Sequence, residues 1–480
     1  MKRCLLVISC IALTGTLVGC RSRGGGRPTS EEPTSTSQVD PTSQVDPTTV
    51  NPITSNNPTS SSSTNQTTSS GTSSNTSSSP TSLTPVGKAM TTILMYICGS
   101  DLESTYASQG YGLATMDLKE ILSVSGQPED VNIVIETGGA SKWDSSLGIS
   151  SSKLERYHVW NQKLVKDASL TYVSMGEAST LQDFIEYGVS AYPAEKTSLI
   201  FWNHGNGMQG CCFDEKKSDD QLTNAEVQEA LKNAFTNLKR TEKFEWIGYD
   251  CCLMQIQDIA DTNSAYAKYM VASQESESGY GWDYDTWIDD LYAHKSTSEV
   301  LTAIVDGFIE DNGGKDASTI VEDGETYTAD QTLSWLDLSY AGEYKTAWEN
   351  MAGELRNKLS SSMKSSWNNL IKKGKHFAGD DYASVGIFDA MDFVKNLESS
   401  SSFNPGSSYT AAVKNAYNKL VKYNVAQKGA GNANGISMFY DITNSAYHQY
   451  FYTDDDTNFS NWKYIVDNYY GSSGGWGGGY

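Results

Sequence analysis

Two short segments of this chain carry residue types that could do covalent chemistry. Ser198–Gly207 reads SLIFWNHGNG, and Glu245–Met254 reads EWIGYDCCLM. Each is an apolar run that stops abruptly at reactive side chains. The first ends at His204 followed by Gly205, the second at Asp250, Cys251 and Cys252. In an open α/β sheet the ligand crevice lies outside the carboxyl ends of the strands. Two neighbouring strands with these ends would bring an imidazole and a thiol to one cleft, which is what a cysteine nucleophile with a histidine partner requires. Gly205, with Asn206-Gly207 after it, provides backbone that can come close to a ligand. Side chains alternate along a strand, so Asp250 and Cys252 share one face and Cys251 points to the other.

The elements that must position these residues read as an alternating series. Thr91–Cys98 and Val131–Glu136 are short apolar runs bounded by polar or glycine residues, the pattern of buried strands. Ala114–Val124 between them has helical spacing. Leu181–Tyr192 reads as a helix and Ser198–Asn203 as the next strand. Asn224–Leu238 is a helix opening with Thr223 and Glu226 in capping-box spacing. Strands follow at Trp246–Cys251 and Tyr269–Ala272. This order predicts an α/β fold with a largely parallel sheet and helices on both faces. Beyond about residue 300 the pattern weakens. Strands are expected at Thr332–Leu338, Ser384–Phe388 and Gly435–Tyr440, and helices at Ala341–Ile371, Ala390–Leu397 and Tyr409–Tyr423.

The two segments resemble the clostripain family of cysteine peptidases, which share the caspase–gingipain–legumain type of fold. The family pattern is an apolar strand ending in His-Gly, then a second strand ending in Asp-Ala-Cys-Leu-Met. Here the second reads Asp250-Cys251-Cys252-Leu253-Met254. Gly435–Tyr440 resembles a late strand of the same family. The resemblance implies a caspase-like sandwich, with His204 and Cys252 as catalytic dyad and the Gly205 and Cys252 N–H groups as oxyanion donors. It places Asp250 in the pocket for a basic side chain, so substrates would be cut after Arg or Lys. Asp250 could otherwise cap the element that follows it. Ser273-Gln274-Glu275 and the Gly279–Tyr284 segment resemble loops that wall the family's pocket, making Glu275, Glu277 and Asp283 further candidates for its negative charge. Family members often cut themselves between the His and Cys strands, which points to Lys216 and Lys217 ahead of Lys239-Arg240. The pattern is departed from at Cys251 for alanine, at Met208 for a frequent tryptophan, and at Gln257-Asp258 where glutamate is common. A transpeptidase on the same fold, or a non-enzymatic protein binding a peptide or glycan, are the alternatives.

The first twenty residues read as an export signal. Lys2 and Arg3 precede a short apolar stretch that ends in Leu17-Val18-Gly19-Cys20. That tetrapeptide resembles a bacterial lipobox, which implies lipidation at Cys20, a membrane held through that lipid, and display on the outer face. Residues 21–88 are rich in Ser, Thr and Pro and repeat TSQVDP twice. Such a segment cannot bury enough apolar surface to fold, and as a flexible coil would span about 45 Å. The expected organisation is signal 1–20, tether 21–88, catalytic core 89–300, a C-terminal part 301–470 and a glycine-rich tail 471–480. The net charge of −23 argues against nucleic acid as partner, since phosphate binding needs clustered Lys and Arg. Peptides with Arg or Lys are the expected partners, and a monomer the expected state. Past the signal and Cys20, five cysteines remain: Cys98, Cys211, Cys212, Cys251 and Cys252. They are too few for a disulfide framework and show no zinc spacing. No metal or cofactor is required by the sequence. Some relatives use calcium, and the acidic Asp454-Asp455-Asp456 cluster lacks EF-hand spacing. The 28 tyrosines and 11 tryptophans are scattered through strand and helix patterns, which suits core packing better than a sugar platform.

Overall fold

Strand β1 (Ala89–Cys98) is apolar at nearly every position because both its faces are buried. Leu94, Tyr96 and Cys98 enter one core, while Ile93, Met95 and Ile97 enter another on the opposite side. Continuous apolar runs are the mark of parallel strands covered on both faces. The computed structural model describes residues 88–322, 325–378, 386–440 and 460–469, within one compact unit. The Cys20 lipidation site, the tether, the Asp454–Asp456 cluster and the C-terminal tail lie outside the described residues.

The further strands are β2 (Val131–Gly138), β3 (Lys153–Trp160), β4 (Lys163–Thr171), β5 (Ala194–Trp202), β6 (Cys211–Asp214), β7 (Asp220–Leu222), β8 (Phe244–Asp250), β9 (Ala267–Ala272), β10 (Thr319–Glu322), β11 (Glu325–Thr328), β12 (Thr332–Asp337), β13 (Ile387–Asp389), β14 (Val421–Ala426) and β15 (Ser437–Phe439). Nine form the main sheet, in the order β14-β12-β9-β8-β5-β1-β2-β3-β4. The five central strands, from β9 to β2, run parallel. An antiparallel pair extends each edge. The remaining strands form three two-stranded ladders. Helices Leu113–Ser123, Tyr284–Tyr292 and Thr297–Asp311 cover one face. Ala178–Ala191, Asn224–Asn237 and the helices after residue 340 cover the other. This is the α/β sandwich expected from the sequence.

The capping box forms as read: the Thr223 hydroxyl accepts the Glu226 N–H while the Glu226 carboxylate accepts the Thr223 N–H. Two local expectations are corrected and one hairpin is added. The helix over Ala341–Ile371 is two helices, Ala341–Lys358 and Lys364–Lys372. Its break falls on Ser360-Ser361-Ser362, whose hydroxyls bond locally and compete with the helix ladder. The helix over Tyr409–Tyr423 ends at Leu420, because Val421 onward pairs antiparallel with β12. The β3–β4 hairpin was not legible. Its turn places Asn161 and Gln162 at φ +48° and +61°, a conformation usually signalled by glycine.

The two parts divided at residue 300 share one sheet, since β9 pairs with β12 and β12 with β14. The later helices close around Trp348, Trp367 and Trp462, each completely buried, and Trp348 meets Trp462 edge to face at 5.3 Å. Tryptophan here is core, as expected. Polar side chains join this layer to the sheet. Gln274 Nε2 donates to Asp389 Oδ2 at 3.1 Å and to Ser437 Oγ at 3.0 Å, and Gln274 Oε1 accepts the Gly435 N–H at 2.5 Å.

Candidate active site

Strands β5 and β8 are neighbours in parallel register, Trp202 opposite Asp250. That register sends the chain after β5 and the chain after β8 out of the same sheet edge side by side. Asn203 fastens the arrangement. Its N–H donates to Asp250 O at 3.3 Å, its amide nitrogen to Cys98 O at 2.6 Å, and its amide oxygen accepts the Phe213 N–H at 2.7 Å. One side chain thus ties together the ends of β1, β5 and the β6–β7 hairpin. Sequence reading passed over Asn203, although an amide between an apolar run and His-Gly was a usable signal.

Gly205 lies directly against Cys252. A Cβ at position 205 would sit 2.1 Å from Cys252 O and 2.9 Å from Cys252 N, both backbone atoms that cannot swing away. Only glycine permits this approach, so the peptide groups of Gly205 and Cys252 are brought together. Cys252 Sγ accepts the Glu277 N–H at 3.2 Å. Cys98, Cys211, Cys212 and Cys251 are free thiols. Cys251 points the other way, its Sγ 3.6 Å from Phe201 O, and burial pushes its thiol pKa up.

His204 is 5% exposed and its two ring nitrogens differ. Nε2 is 2.7 Å from Asp101 Oδ1, while Nδ1 is buried with no hydrogen-bond partner among the described residues. Phe213 stands edge-on to the ring at 6.4 Å. Asp101 is the other residue missed from the sequence. It sits in the first turn of helix Ser100–Ala107, just past β1, and nothing in its local pattern marks it. Burial acts to raise its pKa, but the His204 hydrogen bond and charge and the Ser100 hydroxyl outweigh it and hold the carboxyl at about 2.

The candidate recognition acids divide. Asp250 is buried, accepting the Tyr284 O–H at 2.8 Å and the Trp282 N–H at 3.2 Å. Burial raises its pKa to about 6 against the pull of those bonds. Glu277 faces it, and burial followed by the Asp250 charge pushes the Glu277 carboxyl well up. The two behave as a pair in which Asp250 ionises first. Gly281, at φ +66°, lets the loop pass over them: a Cβ there would be 2.9 Å from Asp250 Oδ2. Glu275 is committed elsewhere. It pairs with Lys375 at 3.4 Å and accepts the Ala378 N–H at 2.7 Å, which makes it a clamp on the C-terminal layer and not an open pocket acid. Asp283 is also not brought in. Its carboxylate accepts the Thr286 hydroxyl at 2.7 Å and lies against Gly307, on the helical layer.

Lys216 and Lys217 occupy a tight turn at the tip of the β6–β7 hairpin. Asp214 caps the turn through the Lys216 N–H at 3.0 Å, and the Lys216 ammonium lies 3.6 Å from the Tyr172 ring centroid and bonds Ser151 O. Ser218 and Asp219 follow at φ +60° and +58°, a strained conformation for side-chain-bearing residues. Among the described residues no group of three or more His, Cys, Asp or Glu could hold a metal ion, and no helix is long and apolar enough to cross a membrane.

The sequence profile of the clostripain family matches residues 95–473. The chain belongs to that family and is a cysteine peptidase. It is similar to clostripain of Hathewaya histolytica, 22% identical over 421 residues that cover 76% of this chain and 77% of that protein. A secreted C11 cysteine protease from Bacteroides thetaiotaomicron, solved with an irreversible peptide inhibitor, superposes with TM-score 0.55 at 17% identity, covering 75% of this chain and 97% of that one. An inactive zymogen of a C11 protease from Parabacteroides distasonis superposes with TM-score 0.53 at 17% identity, covering 80% and 99%.

The contact at position 205 makes a direct prediction. Gly205→Ala must push the His204 loop off the Cys252 peptide, and overpacking of this kind costs about 1–3 kcal/mol. The variant is expected to lose peptidase activity with only a modest drop in melting temperature; activity near wild type would show that this approach is not needed.

Proposed function

We propose that the protein is an endopeptidase that cuts after Arg or Lys, with Cys252 as nucleophile and His204 as its proton partner. The observation that carries this is the close packing of the Gly205 and Cys252 peptides beside His204. It supports placing a scissile carbonyl with its oxygen toward the N–H groups of Gly205 and Cys252, where negative charge develops during attack. The Cys252 thiol gives its proton to His204 and its sulfur adds to the carbonyl carbon. His204 Nδ1, the nitrogen not held by Asp101, delivers a proton to the departing amine. Water then hydrolyses the thioester, regenerating the thiol.

Asp250 is proposed to read the basic side chain, with Glu277 as its neutral partner. A buried carboxylate facing a guanidinium or ammonium is a strong, charge-assisted recognition element. Glu275 and Asp283 drop out of this role because their carboxylates are engaged elsewhere. The same reading makes Lys216 and Lys217 the sites of self-cleavage, at an exposed hairpin tip followed by two strained residues. Export, with anchoring through a lipid on Cys20, completes the proposal and rests on the N-terminal sequence; the secreted protease from Bacteroides thetaiotaomicron is consistent with export.

Cys252→Ala is expected to abolish cleavage of an arginyl or lysyl reporter in the presence of reductant, while Cys251→Ala keeps most activity. Equal loss in both folded variants would refute the assignment, and full activity of Cys252→Ala would place the chemistry at a different site. Intact-mass analysis of the same proteins is expected to show cleavage after Lys216 or Lys217 in wild type and none in Cys252→Ala. A single uncut, fully active wild-type species would remove self-cleavage as the activating step.

Asp250 recognises a cation only when ionised, and its pKa stands at about 6. The preference for an arginyl reporter over an uncharged isostere is therefore expected to be full above pH 7 and to decline as pH falls through 6. Asp250→Asn should lose both the preference and its pH dependence. A preference retained in that variant would transfer the role to Glu277.

A further inference from the structure

We propose that Asp101 is a positioning residue for His204, holding the imidazole by Nε2 so that Nδ1 carries the proton delivered to the leaving amine. The proposal rests on the Cys252–His204 reading above and adds a third residue to it. The Nε2–Asp101 contact is 2.7 Å, and the opposite nitrogen is buried with no partner among the described residues. An ionised carboxylate can only accept, so Nε2 must be the donor and the tautomer is decided. Nδ1 is then the nitrogen that takes up the Cys252 thiol proton and passes it to the amine.

The local structure is built to hold this carboxylate. The Ser100 hydroxyl donates to the same oxygen, Oδ1, at 2.8 Å. Ser100 itself sits at φ +45°, so the chain turns sharply from β1 into the helix that carries Asp101. Gly99 just before it has no room for a side chain, since a Cβ would lie 2.9 Å from the Trp143 ring. Two residues beyond, Glu103 is fully buried and anchors the helix through Thr115 N, Thr115 Oγ1 and Asp144 N, at 2.9, 2.8 and 2.7 Å. The rest of the helix is thereby locked while Asp101 stays half exposed at the site.

Other charged groups surround the pair. Asp219, on the β6–β7 turn, acts on both His204 and Asp101 through charge. Glu215 and Asp214 of the same hairpin act on Asp219, and Cys98 at the end of β1 lies within the field of Asp101. Loss of Asp101 therefore leaves a negative field at the imidazole but removes the contact that orients it.

The test compares wild type, Asp101→Asn, Asp101→Ala and Cys252→Ala under reducing conditions. Asn keeps an acceptor oxygen and removes the charge; Ala removes both. The readouts are kcat and KM, measured separately for an arginyl reporter. With Asp101→Ala, kcat is expected to fall at least tenfold while KM changes little, because the imidazole loses its orientation and the substrate pocket does not. Asp101→Asn, which keeps the acceptor, should recover part of that loss. A kcat within twofold of wild type in a folded Asp101→Ala protein, or no recovery in Asp101→Asn, would overturn the proposal. Activity retained by Cys252→Ala would instead overturn the dyad itself, so the two failures are distinguishable.

Discussion

The parallel pairing of β5 with β8, in the register that sets Trp202 opposite Asp250, is the constraint on which the site depends. It delivers two chain segments to one edge of the sheet with their peptides in contact. Gly205 makes the final approach feasible, and Asn203 fixes it by bonding to three separate segments. Buried polar groups fully used in this way specify one arrangement, because each misplaced bond would leave a buried donor or acceptor unpaired. A shift of one residue in this pairing would separate His204 from the Cys252 peptide altogether.

A second polar cluster governs the far half of the molecule. Gln274 reaches Asp389, Ser437 and Gly435, while Gln255 donates to both oxygens of Ser334 and accepts the Ser437 N–H. Glu275 adds the pair with Lys375. The segment Ser273–Glu275 leaves the sheet beside Cys252, with Glu275 O accepting the Leu253 N–H at 3.1 Å. The C-terminal layer is thus joined to the same loop that borders the thiol. Displacement of that layer and rearrangement of the site are mechanically linked.

Carboxyl groups lie along the Cys252 segment and against His204, and their surroundings sort their protonation states. Along that segment Asp250 and Glu277 share a low-dielectric space in which both cannot easily ionise. Against the imidazole, Asp101 stays ionised because histidine and serine contacts outweigh its burial. Groups whose environments drive their pKa values apart mark out distinct chemical roles. The overall negative charge of the chain says little about this division, which is made over a few ångströms.

Much was legible in the sequence because it depends on local pattern. The apolar runs of β1, β2, β5 and β8 declare strands buried on both faces, and the abrupt change to His-Gly and Asp-Cys-Cys marks where each leaves the sheet. The expected alternation of Asp250, Cys251 and Cys252 assumes a strand running through them, whereas β8 ends at Asp250. The β3–β4 hairpin escaped because its turn lacks glycine, and Val421–Ala426 escaped because only pairing with β12 makes it a strand. Glu275 and Asp283 looked like pocket acids by proximity in sequence, yet their partners, Lys375 and Thr286, come from the C-terminal layer and a helix. Asp101 lies more than a hundred positions from His204, so no local pattern could connect them. The sequence by itself determined which residues could do chemistry and on which kind of strand end they stand. Only the tertiary structure decided which acids face the thiol and the imidazole, because hydrogen bonding and burial depend on contacts between segments distant in the chain.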